Sequence, residues 1–203
     1  MAGTPYQGKP LVSGLRNMTT PPDNLPMRIW TVGHSTIGME EFLELLTSHG
    51  IIHLADVRRF PGSRRYPHFN EQPLRERLTN AGIAYHSFRE LGGRRTPRPD
   101  SLNTAWRNAS FRGYADFMET EEFRSGLLRL MERARTGRTA IMCAEALWWR
   151  CHRSLIADRL KISGIEVCHI AGPGKSTTHP YTRAARIVEG KLSYGEPDNG
   201  LFG

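Results

Sequence analysis

The residue types best suited to chemistry crowd into one stretch, Thr139 to Leu160, which reads TAIMCAEALWWRCHRSLIADRL. A buried strand is expected to end at Cys143. A short turn then carries Glu145, Trp148, Trp149 and Arg150, and a helix is predicted over Cys151–Ile162, with His152 and Arg153 in its first turn. A helix start leaves backbone N–H groups unpaired and carries partial positive charge. Together with Arg150 and Arg153 it predicts a phosphate-like anion site. A thiol facing such a pocket ionises more readily and becomes a usable nucleophile. Cys143 therefore reads either as a catalytic thiol or as inert packing, the usual fate of a cysteine at a strand end. Glu145 reads either as the partner of Arg150 or as a general acid or base whose pKa the tryptophans raise by desolvation. Trp148 and Trp149 read as core or as a stacking platform.

Further candidates fall at the ends of other predicted strands. His34, in GHST, follows the first strand and reads either as a structural histidine or, from its place on the active edge, as a catalytic candidate beside Cys143 and Glu145. Asp56 and Arg58, in ADVRRFP, close the second, where Asp56 would hold either Arg58 or the chain turn and Arg58 would point at an anionic ligand. Tyr66, in an arginine-flanked YPHF, suits a nucleic-acid contact or a packed loop. Substrate binding is thus expected from Asp56, Arg58, Tyr66, Trp148, Arg150, His152 and Arg153. The AGPGKSTT stretch at Ala171 is not a phosphate loop, because His169 stands where the pattern needs its first glycine. His152 and His169 could join Cys143 on a metal, but no tight ligand pair supports it; no metal and no cofactor are expected.

These residues must be positioned by a sheet. Strands are predicted at Arg28–Gly33, Ile51–Val57, Ile83–Ser87, Arg138–Cys143 and Ile165–Ile170. Between them come helices starting near Met39, after Asn70 as N-cap, at Phe111 and Glu122, and at Cys151. Ile187–Tyr194 reads as a hairpin or a short strand, and Arg89–Ser110 as a long loop with five arginines. Alternating strands and helices imply an α/β single domain, a mostly parallel five-stranded sheet with helices on both faces. Residues 1–27 are expected to be a flexible arm, 28–195 the domain and 196–203 a tail. In a parallel sheet ligands bind at the carboxyl edge. His34, Arg58, Glu90, Cys143, Glu145 and Gly172 should therefore approach one rim.

The 203 residues suffice for a full core, and no stretch is apolar enough to span a membrane. The formal net charge of +8, mostly from arginine, points to a polyanionic partner, with nucleic acid first. Three cysteines at no zinc spacing fit free thiols in a reducing cytoplasm. Nothing in the sequence gives the oligomeric state.

Two resemblances bear on this reading. The strand-end cysteine before an arginine and a helix is similar to the active turn of rhodanese-like and cysteine-phosphatase domains. Here, however, the arginines follow Cys143 by seven and ten positions and two tryptophans fill the turn, so the cradle cannot close on the sulfur in the same way. More of the chain, from about Ile29 to Tyr194, resembles the uncharacterised family called domain of unknown function 488. TVGHST, LADVRRFPGSRR, GIAYHSFRELGG, FRGYADFM, MCAEALWWRCHRSLIADRL and VCHIAGPG carry that resemblance. It implies an α/β sandwich that gathers the Gly33–His34, Asp56–Arg58 and Cys143–Arg153 segments, and it brings no activity.

The resulting expectation is an enzyme acting on nucleic acid or nucleotide-like substrates, of the DNA-repair or base-modification type. Its alternatives are a rhodanese-like thiol enzyme on a small anion and a non-catalytic nucleic-acid-binding module.

Overall fold

Residues 27–196 are described by a computed structural model. They form a six-stranded sheet in which β1 (Arg28–Gly33), β2 (His53–Asp56), β3 (Ala84–Ser87), β4 (Thr139–Cys143) and β5 (Glu166–Gly172) run parallel. β6 (Lys175–Thr178) closes one edge antiparallel to β5, and the order is β3-β2-β4-β1-β5-β6. The arm and tail expected from the sequence fall outside the described residues apart from their inner ends. Of the arm, Met27 packs on the core and its carbonyl accepts from Glu166 N at 2.9 Å.

Strands covered on both faces have little hydropathic alternation, but their side chains still alternate between two cores. Ile29, Ala55, Ile141 and Val167 point into one core with α3 (Ala109–Phe117), α4 (Glu121–Arg135) and α5 (Arg153–Ile162). Trp30, Val32, Leu54, Ala140 and Met142 point into the other, against Phe42 and Leu46 of α1 (Met39–Thr47) and Leu74 and Leu78 of α2 (Glu71–Asn80). The chain is thus a single α/β domain with helices on both sides of its sheet.

Side-chain caps fix two of the helix starts. Asn108 accepts from the N–H groups of Ser110 and Phe111 at the head of α3, and Thr120 from Phe123 at the head of α4. Asn70 does precede α2, but its side chain accepts from Ser63 N at 2.6 Å and closes the arginine loop rather than capping the helix.

The sheet departs from the expected five strands at β6. Pro173 and Gly174 turn the chain, with Gly174 at φ +64°, and Lys175–Thr178 return as an edge strand. All four residues are exposed and polar, so no apolar rhythm announces the strand, as befits a protected edge. A separate hairpin, β7 (Arg186–Val188) with β8 (Lys191–Ser193), forms where the sequence predicted a hairpin or short strand.

Candidate active site

β1 leads through α1 to β2 on one side, whereas β4 leads through α5 to β5 on the other, crossing β1. The chain therefore reverses its winding between the neighbours β1 and β4. A crevice opens outside the carboxyl ends of strands at such a switch point. Gly33 and Cys143 are register partners there, and the pairing continues beyond the strands, with His34 N donating to Cys143 O at 3.1 Å and Ser35 N to Ala144 O at 2.9 Å. A β-carbon on Gly33 would overlap the Glu145 carbonyl and lie 2.8 Å from Nη2 of Arg153. Only glycine lets the turn after β4 fold back over β1.

That turn differs from the one predicted. Trp148–Arg150 form a single 3₁₀ turn, Cys151 is extended, and α5 begins at Arg153. The N–H groups of Ser154 and Leu155 are already taken by the carbonyls of Cys151 and His152, so the helix start offers an anion fewer free donors than expected. The extended Cys151 swings its sulfur back toward Cys143. Cys143 Sγ lies 4.0 Å and Cys151 Sγ 3.6 Å from Nδ1 of His152, and the three ligand-capable atoms are all within 4.8 Å of one another. Nε2 of His152 donates to the Val57 carbonyl at 3.2 Å, which in the neutral ring leaves the Nδ1 lone pair facing the thiols.

Arg153 lies beneath this set and is only 1% exposed. Its Nη2 donates to the carbonyls of Glu145 and Ala146, and its Nε to Cys151 Sγ at 3.4 Å. Among the described residues no carboxylate pairs with it. The hydrogen bond from Cys143 draws the Cys151 thiol well below the usual range against the cost of burial, and His152 and Arg153 act in the same direction. That same bond, with burial, pushes Cys143 up.

Asp56, Arg58 and His34 form the adjoining wall. Asp56 accepts from Arg58 N at 3.0 Å, Nε at 2.9 Å and Nη2 at 2.6 Å, and from the Tyr85 hydroxyl at 2.8 Å. Arg58 Nη1 meets His34 Nε2 at 3.3 Å. Burial, then the Arg58 charge, lower the His34 pKa to about 4, and the ring stacks on Phe69 at 4.0 Å. His34 and Asp56 thus aim Arg58 and do not themselves line the cavity.

The cavity has a volume of about 550 Å³. Cys143, Cys151 and His152 share its wall with Arg58, Arg59, Arg94 and Arg150. Among the described residues no carboxylate lies within ion-pair distance of Arg59, Arg94 or Arg150. Phe60, 64% exposed, stands at its edge. A second groove of about 290 Å³ shares Arg59 and Arg94 and runs on to Arg95 and Arg98.

Five of the residues singled out from the sequence therefore meet in one cavity, namely Arg58, Cys143, Glu145, Arg150 and His152. Asp56, His34 and Arg153 support it from behind. Tyr66 lies outside, packed on the α1–α2 core with Arg65 over its ring. Trp148 is outside as well, stacked on His169 at 4.1 Å and nearly parallel. It does not desolvate Glu145, which is exposed and accepts from Leu147 N. His169 stands away from the thiols, in a buried chain of hydrogen bonds from Thr31 through His169 and His179 to Asp158. The sequence reading missed Cys151, Arg59 and Arg94 as cavity residues. The signal for Cys151 was its place beside His152 at the foot of a helix, one turn beyond a strand-end cysteine.

A family model described as a domain of unknown function, DUF488, matches residues 38–160, more than half of the chain. The chain belongs to the DUF488 family. No curated protein and no solved structure matches it. The DUF488 segment contains every cavity residue named above together with Asp56 and Arg153. It leaves out His34 on one side and the His169–His179 pair on the other, so the motifs TVGHST and VCHIAGPG flank the matched region.

Proposed function

We propose that this DUF488 protein is an enzyme acting on nucleic acid or a nucleotide-like substrate, with the Cys143–Cys151–His152 set supplying the reacting group. One observation carries the reading: a sulfur–imidazole cluster sits in the wall of a cavity whose rim holds arginines that have no carboxylate partner among the described residues. Guanidinium groups suit the paired oxygens of phosphate. Among the described residues Glu145 is the single acid on this wall, placed to move a proton in the open cavity. Exposed Phe60 beside Arg59 offers a base a face to stack on. The continuation of the rim into the Arg95–Arg98 groove suits a strand longer than one nucleotide.

A second reading, a thiol enzyme on a small anion, is favoured by the 3.4 Å approach of Arg153 to Cys151 Sγ. Binding of a fluorescent single-stranded DNA of ten nucleotides, followed by anisotropy across salt, separates the two. With three or four phosphate contacts the log–log salt slope should lie near −2 to −3, about −0.7 per contact. Arg94→Ala and Arg150→Ala should each flatten it by about 0.7. Phe60→Ala should weaken binding by roughly 5- to 150-fold, the worth of one stacked base, and Trp148→Leu should leave affinity unchanged. Bound DNA should also slow alkylation of Cys143. Absence of DNA binding at low salt, with thiosulfate or phosphate still protecting the thiols, would replace the first reading by the second.

A further inference from the structure

We infer that Cys143, Cys151 and His152 form a binding site for one borderline-soft divalent cation, zinc(II) in class, with three protein ligands and the remaining position facing the cavity. The inference goes beyond the proposed function and does not depend on which substrate the cavity takes.

Zinc bonds of about 2.3 Å to sulfur and 2.0 Å to nitrogen, at tetrahedral angles, place a sulfur and a nitrogen ligand about 3.5 Å apart and two sulfurs about 3.8 Å apart. Here the sulfur–nitrogen separations are 3.6 and 4.0 Å, and no pair exceeds 4.8 Å. The sulfur–nitrogen pairs need shifts of no more than about half an ångström, and the sulfur pair of no more than about one ångström, to reach those separations. The donor set is two thiols and an imidazole with no carboxylate, which selects zinc-like cations over magnesium or calcium.

Three further features belong to a built site. The Nε2–H of His152 is held by the Val57 carbonyl at 3.2 Å, the outer hydrogen bond that fixes a ligating imidazole in orientation and tautomer. Arg153 donates to Cys151 Sγ, as N–H groups do to metal-bound thiolates. The space before Nδ1 is kept by a glycine: a β-carbon on Gly93 would lie 2.8 Å from Nδ1. All three ligands line the cavity, so the fourth position falls to water or an anionic atom within reach of the arginine rim. A zinc site with an open position is of the catalytic rather than the structural kind.

The test uses reduced, metal-stripped full-length protein and cobalt(II) as the optical probe. Titration should raise thiolate-to-cobalt charge-transfer absorption in the near ultraviolet, with visible bands of tetrahedral intensity, saturating at one equivalent and displaced by zinc(II). Bound zinc should slow iodoacetamide labelling of Cys143 and Cys151 at least 10-fold. Cys143→Ser, Cys151→Ser and His152→Asn should each weaken zinc binding 100-fold or more, measured against a chromophoric chelator, while Cys168→Ser should not. Should a ligand variant fail to fold, Gly93→Ala, which sets a methyl against Nδ1, should weaken binding at least 10-fold. The inference is overturned if cobalt gives no charge-transfer band, if the band survives all three ligand substitutions, or if zinc leaves wild-type thiol labelling unchanged. DNA binding by the metal-stripped protein is scored in parallel, so loss of the metal site and loss of the substrate reading are separate results.

Discussion

Replacing Asp56 by alanine should destabilise the protein by about 4 kcal/mol. Asp56 is 1% exposed and Arg58 7%, and the pair is joined by hydrogen bonds from three nitrogens of Arg58. Removing the carboxylate leaves a buried guanidinium whose remaining hydrogen-bond partner among the described residues is the His34 ring nitrogen at 3.3 Å, and it orphans the Tyr85 hydroxyl. Breaking a buried pair from one side costs about 3–5 kcal/mol, because the other charge is stranded. An unpaired hydroxyl adds roughly 1 kcal/mol or more, part of which is the same loss counted twice. Against a total stability of roughly 5–15 kcal/mol this is a large fraction. At about 2–4 °C per kcal/mol for a domain of this size, Tm should fall by roughly 8–16 °C. Urea unfolding followed by circular dichroism measures the difference. The decisive comparison is Asp56→Ala/Arg58→Met, which strands no charge and should be milder than Asp56→Ala alone by about 2 kcal/mol. A single substitution costing under about 1 kcal/mol, or a double costing the full sum, would refute the claim that Asp56 is there to hold the Arg58 charge.

Two other outcomes follow from the same geometry. Gly33→Ala should displace the turn after β4 and cost several kcal/mol in thermal unfolding, whereas Gly38→Ala, with nothing within 4 Å of the added carbon, should be nearly neutral; equal effects at the two sites would remove the steric argument. Burial, then His179 and Arg153, lower the His169 pKa to about 3, against 6.5 in the unfolded chain. A base whose folded pKa is depressed contributes its full stability above pH 6.5 and loses about 1.4 kcal/mol per pH unit as pH falls from there toward 3. Urea midpoints of the wild type should decline through this window more steeply than those of His169→Gln, and parallel profiles would contradict it.

The parallel sheet was legible because its strands are short apolar runs spaced by helices, and the carboxyl-edge rule then places Arg58 and Cys143 on one rim. The polar edge strand β6 was not legible, since Lys175–Thr178 bury nothing and periodicity has nothing to report. Trp148 misled for a related reason. A tryptophan in an arginine-rich turn looks like a stacking platform, yet its partner, His169, is on another strand and is brought beneath it only by the β1–β5 pairing. Cys151 was passed over because the predicted helix began with it. A helical Cys151 would follow the course of α5, but the 3₁₀ turn at Trp148–Arg150 leaves it extended, φ −125° and ψ 147°.

That local conformation explains why the site needs a buried arginine. The turn from Ala144 to Cys151 must reverse direction within a few residues, and it exposes carbonyls that a continuous helix would have satisfied. Arg153 meets those of Glu145 and Ala146 with one nitrogen and gives another to Cys151 Sγ. One side chain thus shapes the turn and adds its positive charge beside that sulfur. A guanidinium can do both because its donors point in fixed, divergent directions, whereas a lysine ammonium offers a single point. Gly33 is the other half of the arrangement, since only a missing side chain lets the Arg153-held turn press onto β1. The convergence of Cys143, Cys151 and His152 is therefore a consequence of two residues that do not line the cavity, and it lies where the sheet's winding reverses.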